Sequence, residues 1–302
     1  MIEIEKIENF ISMTKVDYNN YKEFLKNRNY VIVENVKLEI GRNWKIKEFE
    51  PKHFELETTN VWSFPNRGKW ATHYLNSKYR GNWAPQVVRN LLIRYTKEGD
   101  WVLDPFVGSG TTLIEAKLLR RNAIGIDINY EAVILTLDRL NFDMPPNLLE
   151  NDKKPIIEVY VGDARNLDKI ENESIDFIAA HPPYVDIIGY SKNSNSKIDG
   201  DLSKIHSVED FCIEMKKVAK EMYRVLKPHK FCAILIGDTR RKKYHIPISF
   251  KVLNVFLEVG FKLKEDIIKI QHRMKTTPLW VKRSKELNFL LLQYEHLFVF
   301  EK

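Results

Sequence analysis

Apolar positions recur along this chain at two spacings, and their alternation predicts an α/β protein. Val88, Leu91, Leu92 and Tyr95 follow three-to-four spacing and define a helix over residues 85–95, with Pro85 in its first turn. Short apolar runs at residues 101–104, 123–128, 159–161, 177–180, 231–236, 261–270 and 297–300 read as strands. Helical patterns separate them at residues 111–119, 130–140, 209–225 and 249–259, the third ended by Lys227-Pro228 and the last stopped at Gly260. This order predicts a doubly wound, mostly parallel, seven-stranded Rossmann-like sheet over residues 61–302. Residues 1–60 read as an N-terminal appendage with a helix at 18–25 and a strand at 30–33, and no chemistry is assigned to them.

Between appendage and sheet lies an aromatic loop, residues 61–79. Trp62, Phe64, Trp70, Tyr74 and Tyr79 alternate there with Arg67, Lys69 and Lys78. Two readings stay open: contact with nucleic-acid bases and phosphates, or packing of the appendage onto the main domain.

Composition narrows the class. The 302 residues are 44% hydrophobic, enough for one large domain and its core. No long uncharged apolar stretch and no leader-like N-terminus occur, so a cytoplasmic protein without membrane contact is expected. The two cysteines, Cys212 and Cys232, lack a neighbour at metal spacing and read as buried apolar filler. Net charge is +7, and the excess is regional, concentrated between Arg240 and Lys285, which favours a polyanionic partner.

Two runs carry the candidate chemistry. The first strand of the sheet ends in Asp104, followed by Pro105-Phe106-Val107-Gly108-Ser109-Gly110-Thr111-Thr112, and the next ends in Asp127. Glycines at such a turn let a ligand approach the backbone, and a carboxylate on the second strand suits ribose hydroxyls. The loop has neither the third glycine of a dinucleotide fingerprint nor a Gly-Lys-Ser/Thr phosphate cradle, so a nucleoside without phosphate fits it better. The second run, His181-Pro182-Pro183-Tyr184, follows the fourth strand. Two prolines stiffen the turn and remove N–H groups, which leaves the Pro182 carbonyl available as an acceptor, while Tyr184 offers a stacking face.

Together these motifs resemble those of S-adenosylmethionine-dependent DNA amino-methyltransferases, whose loop reads Asp-Pro-Phe-x-Gly-Ser-Gly-Thr-Thr and whose clamp reads Asp/Asn/Ser-Pro-Pro-Tyr/Phe. Cofactor loop precedes clamp, similar to the γ-type order, and the resemblance covers roughly residues 61–302. It implies S-adenosyl-L-methionine as cofactor. Phe106, Gly108 and Gly110 would line its methionine, Asp104 would lie near its ammonium, Asp127 would hold the ribose and Asp163 would cap the adenine amine. Pro105, Thr111 and Thr112 complete that loop, with Ile128 and Ala164 beside the two later carboxylates. Residues 83–95 resemble the family's helix beside the methionine.

The same resemblance implies transfer of a methyl group to cytosine N4 or adenine N6, with the base flipped from duplex DNA or met in single-stranded DNA. His181 departs from the usual clamp, because a neutral imidazole accepts a hydrogen bond and a protonated one does not. Activity is therefore expected to fall as pH drops through the imidazole pKa, and a flat rate profile from pH 8 to 5.5 would remove His181 from this role. The long target-recognition domain of many such enzymes is not expected within residues 1–302. DNA contacts are instead expected from residues 185–206, from Arg240, Arg241, Lys242 and Lys243, and from Arg273, Lys275 and Arg283, with a solvated charged face as the alternative for each. The resemblance allows a cognate restriction endonuclease as partner. The rival activities are a tRNA guanine-N2 methyltransferase, which shares a similar loop and clamp, and a catalytically silent nucleic-acid-binding module.

Overall fold

Nine strands share one sheet in the computed structural model of the chain, which describes residues 6–7, 10–42, 44–79, 81–145, 154–183, 200–241, 243–272 and 277–302. In chain order they are β1 (Thr14–Lys15), β2 (Val61–Ser63), β3 (Trp101–Asp104), β4 (Asn122–Asp127) and β5 (Ile157–Val161). The remaining four are β6 (Ile175–Ala180), β7 (Leu226–Ile236), β8 (Lys262–Ile270) and β9 (Tyr294–Glu301). Across the sheet they run β1-β5-β4-β3-β6-β7-β9-β8-β2.

The strands from β5 to β7 pair in parallel, β9 runs antiparallel to both its neighbours, and β1 and β2 close the two edges. The expected count of seven is therefore corrected to nine. The seven inner strands are those the apolar runs mark; β1 and β2 are two and three residues long, too short to show a period.

Seven helices accompany the sheet among the described residues: α1 (Tyr18–Asn27), α2 (Pro85–Tyr95), α3 (Thr111–Leu118), α4 (Tyr130–Leu140), α5 (Val208–Val225), α6 (Ile248–Val259) and α7 (Thr277–Glu286). Strand residues alternate between two cores. Val102, Phe177, Ala179, Ala233 and Leu235 join the core built with α2, α3 and α4, whereas Leu103, Ile178, Ala180, Ile234 and Ile236 join the one built with α5 and α6. Burial on both faces explains why β6 reads as an almost unbroken apolar run. Its exception, Asp176, is matched by the Trp101 amide and the Lys227 ammonium.

The N-terminal segment docks on α4. Asp17 caps α1, Tyr21 donates to Asp138 at 2.7 Å, and a hairpin of residues 30–39 adds Val31, Val33 and Leu38 to the same core. None of the described helices is long and apolar enough to cross a membrane. Cys232 is buried in β7 and Cys212 half-buried in α5, each as a free thiol.

Candidate active site at the switch point of the sheet

Strand order reverses between β3 and β6, because β4 and β5 lie to one side and β7 to the other. Ligands of open α/β sheets bind outside the carboxyl ends of strands at such a point. Val102 and Leu103 pair with Phe177 and Ile178, so Asp104 at the end of β3 falls level with Ala179, one residue before the end of β6, and the two loops meet at one narrow cleft lined by Tyr79, Asn82, Trp83, Phe106, Ser109, Thr111 and His181.

The first loop is held from below. The Val107 amide donates to Ile126 at 2.9 Å, Thr136 donates to the Gly108 carbonyl at 2.9 Å, and Gly110 caps α3 in the left-handed region at φ 80°. Gly108 also has positive φ, 52°, and a Cβ there would fall 2.9 Å from the Tyr79 hydroxyl. The loop amides turn toward two carboxylates. Asp104 is buried and accepts from the Phe106 amide at 3.0 Å and from the Thr112 hydroxyl; Asp127 accepts from Gly108 at 3.0 Å and Asn129 at 2.9 Å.

Burial raises the Asp104 carboxyl to about 7 and Asp127 to about 6, against the opposing hydrogen bonds. Among the described residues neither forms a salt bridge. A cationic guest is what such a pair lacks.

Two hydroxyls at the cleft, Ser109 Oγ and Thr111 Oγ1, are buried without a hydrogen-bond partner among the described residues. Buried hydroxyls are seldom left so, and both stand where a ligand's polar end would reach them. The carboxylates without a cation and the orphan hydroxyls together fit a positively charged, amino-acid-bearing nucleoside, while the space over Gly108 and Gly110 is taken by Tyr79 and Thr136. Pro105 is buried beneath the loop and Phe106 half-buried at the cleft. Ile128 and Asp163 converge under Gly200, where a Cβ would lie 3.3 Å from each; Ala164 is buried beside them. Asp163 is already gripped by Arg165, whose backbone amide and Nε both donate to Oδ1 at 2.9 Å and whose Nη2 donates to Oδ2 at 2.5 Å. A carboxylate has acceptor sites beyond those three bonds.

His181 is half-buried, with its ring 5.8 Å from that of Trp83. Burial lowers its pKa to about 4; Glu295 and a backbone bond with Gly81 oppose the shift, Lys269 and Arg67 add to it. The imidazole is therefore neutral at physiological pH. Arg67 braces the same wall by donating to the carbonyls of Asn82, at 3.1 Å, and Trp83. Pro182 is buried and Pro183 half-buried. Tyr184 lies outside the described residues, as do Lys242, Arg273, Lys275 and residues 185–199.

The basic residues are brought together only in part. Arg241 and Lys243 are exposed on a hairpin, whereas Arg240 is half-buried, donates to the Lys243 carbonyl at 2.9 Å and stacks over Phe289. Arg283 is exposed on α7, 5.3 Å over Trp280.

In the aromatic loop, the packing alternative describes Trp62 and Trp70, which are buried. Trp70, His73 and Arg89 all meet the fully buried Glu115 of α3, at 2.6, 2.8 and 3.1 Å. Asn76 then donates to the Ser109 carbonyl at 3.1 Å, which fastens this segment to the loop after Asp104. Sequence reasoning missed Asn76, Glu115 and the place of Tyr79, since no periodicity or motif marks a contact made across the chain. The mixed aromatic and polar composition of residues 61–79 was the one available signal.

A family model described as DNA methylase matches residues 4–137 and 175–302, and one described as RMKL-like, methyltransferase domain, matches residues 91–204. Among curated proteins the chain is 28% identical over 262 residues to type II methyltransferase M.MjaII of Methanocaldococcus jannaschii, covering 83% of this chain and 48% of that one. It is 40% identical over 86 residues to type II methyltransferase M.HpaI of Haemophilus parainfluenzae, 28% of this chain and 26% of that one. A third match, 37% identical over 109 residues, is to a tRNA (guanine(10)-N2)-dimethyltransferase of Methanocaldococcus jannaschii, 34% of this chain and 29% of that one. The chain thus spans about half the length of M.MjaII and about a quarter of M.HpaI.

Proposed function

The chain belongs to the DNA methylase family, and on that premise we propose that it transfers a methyl group from S-adenosylmethionine to the exocyclic amine of cytosine (N4) or adenine (N6) at specific DNA sites. The observation that carries this reading is the meeting of the loops after Asp104 and Ala180 in one cleft. Bound S-adenosylmethionine supplies a sulfonium methyl, an electrophile that needs neither metal nor covalent enzyme intermediate. Asp104 and Asp127 balance its positive charge and its ribose, Ser109 and Thr111 take its amino-acid end, and Asp163 with Ile128 and Ala164 frames its adenine.

An exocyclic amine is a weak nucleophile because its lone pair is delocalised into the ring. His181, neutral, and the Pro182 carbonyl each accept one N–H of the amine, which aims the nitrogen lone pair at the methyl carbon. Positioning and fixed dipoles then lower the barrier. Tyr184 stacks on the extruded base. The methylated nitrogen sheds its extra proton to water as the base leaves.

Residues 61–302 carry this chemistry in our reading and residues 1–60 are an N-terminal addition; the protein acts in the cytoplasm, where a cognate endonuclease is a natural companion. The partial likeness to a tRNA guanine-N2 enzyme favours one rival. Incubating the purified chain with labelled cofactor and duplex DNA, single-stranded DNA or tRNA separates the two. Label in DNA is expected; label in tRNA alone rejects the DNA reading, and label in none with cofactor bound favours a silent binding module. Mass spectrometry of the modified nucleoside then distinguishes N4 from N6.

A further inference from the structure

A two-stranded hairpin leaves the sheet one strand away from the clamp. Residues Thr239–Arg241 pair antiparallel with Tyr244–Ile246, Arg241 opposite Tyr244. Because β6 and β7 run parallel with Ala180 opposite Ile234, continuing that register sets Ile236, the last residue of β7, level with Pro182. The hairpin therefore rises from the cleft edge that holds the clamp.

Its base is fixed. Asp238 accepts from the Ser249 amide in the first turn of α6 at 2.8 Å and meets His245 Nε2 at 2.7 Å. The Arg240 guanidinium packs over Phe289, 5.5 Å from the ring centre. Tyr244 is presented the other way: it is 77% exposed, and among the described residues its ring meets no other ring and its hydroxyl makes no hydrogen bond. Exposed Arg241 and Lys243 flank it.

A lone exposed tyrosine is ordinary on a surface. One set on an anchored hairpin, between two cations and beside a clamp for a planar ring, has a duplex as its complement. Cations hold phosphates while the ring stacks on bases.

We infer that Tyr244 enters the base stack and fills the step left empty when the target base is drawn into the cleft. This rests on the DNA-amine reading above. Extruding a base costs the stacking and pairing it leaves behind, and an inserted side chain recovers part of the stacking. Tyr244 is thus a positioning residue that acts on the DNA rather than on the reacting atoms.

The test begins with the wild-type chain on plasmid DNA, with its methylated position mapped by sequencing. Duplexes carrying that site are then made in two forms, one with the target normally paired and one with an abasic residue opposite it. Tyr244→Ala is expected to slow methylation of the paired duplex about ten- to hundredfold. On the abasic duplex, where extrusion is already easy, it should stay within about threefold of wild type, and Tyr244→Trp should keep both rates. Cofactor affinity should not move. Equal loss on both duplexes, or none on the paired one, overturns the inference. A wild-type chain that labels no DNA overturns the underlying reading and this inference with it.

Discussion

Tyr79 covers Gly108 so closely that a Cβ on the glycine would fall 2.9 Å from the phenol oxygen. The ring is half-buried near Asp127, Glu34 and Asp104, and desolvation together with those charges holds its hydroxyl protonated. Gly108→Ala would meet both this contact and a φ of 52°, which disfavours a side chain. We expect it to weaken S-adenosylmethionine binding at least about tenfold by titration calorimetry, with the circular dichroism spectrum unchanged. Affinity equal to wild type would show that the cofactor does not approach this backbone.

Proton linkage follows from the buried Asp104 and the half-buried Asp127. In the free protein Asp104 titrates near 7 and Asp127 near 6, both raised chiefly by burial. A sulfonium or ammonium guest favours their ionised forms, so binding releases protons where the free groups still hold them. Affinity should therefore be full above about pH 8 and fall about tenfold or more by pH 5.5. Asp104→Asn should flatten the upper part of that profile. A calorimetric affinity independent of pH would count against a cation beside these groups.

The expectation that activity falls through the ordinary histidine range needs revision. Burial carries the His181 pKa to about 4, so the imidazole remains an acceptor well below pH 6. With cofactor saturating, turnover should be insensitive to this group from pH 8 to 5.5, and the role is better tested by substitution. His181→Asn keeps a side-chain acceptor and should retain measurable turnover. His181→Ala should lose about a hundred- to a thousandfold in kcat with cofactor affinity intact. Equal rates for the two variants would remove the acceptor role.

The inner sheet was legible because strands buried on both faces must be apolar throughout, as Ile175–Ala180 nearly is, and because helices such as Pro85–Tyr95 carry their own start signal, a proline in the first turn, and their own periodicity. The loop after Asp104 was legible for a related reason: Asp104 and its two glycines lie in one short run of sequence. What escaped is made of contacts between distant segments. Val61–Ser63 pairs with β8 through backbone groups that any residues supply, and Thr14–Lys15 does the same with β5. The helix Thr277–Glu286 lies in a stretch whose charges drew attention to nucleic acid instead. Likewise nothing local tells Arg240, folded back onto Phe289, from Arg241, which faces solvent.

Glu115 is the strongest case of such a hidden contact. It is fully buried in the middle of α3 and accepts from Trp70, His73 and Arg89, while the second arm of Arg89 reaches Glu50 at 2.6 Å. Burial keeps His73 below its usual pKa, so at neutral pH the ring donates one N–H rather than bringing a charge, and Arg89 is the cation of the cluster. Glu115→Ala would leave that guanidinium only the half-exposed Glu50 as a carboxylate partner and strand the Trp70 and His73 ring nitrogens in the core. We expect a loss of about 3–5 kcal/mol in urea unfolding. Glu115→Gln, which keeps the shape and one acceptor, should lose about 1–3 kcal/mol. Because the segment from Trp70 to Tyr79 continues to the Ser109 carbonyl through Asn76, the Gln variant should also bind cofactor more weakly than wild type at temperatures where it is fully folded. An alanine variant that unfolds at the wild-type urea midpoint would show that the cluster fills space without holding the loop.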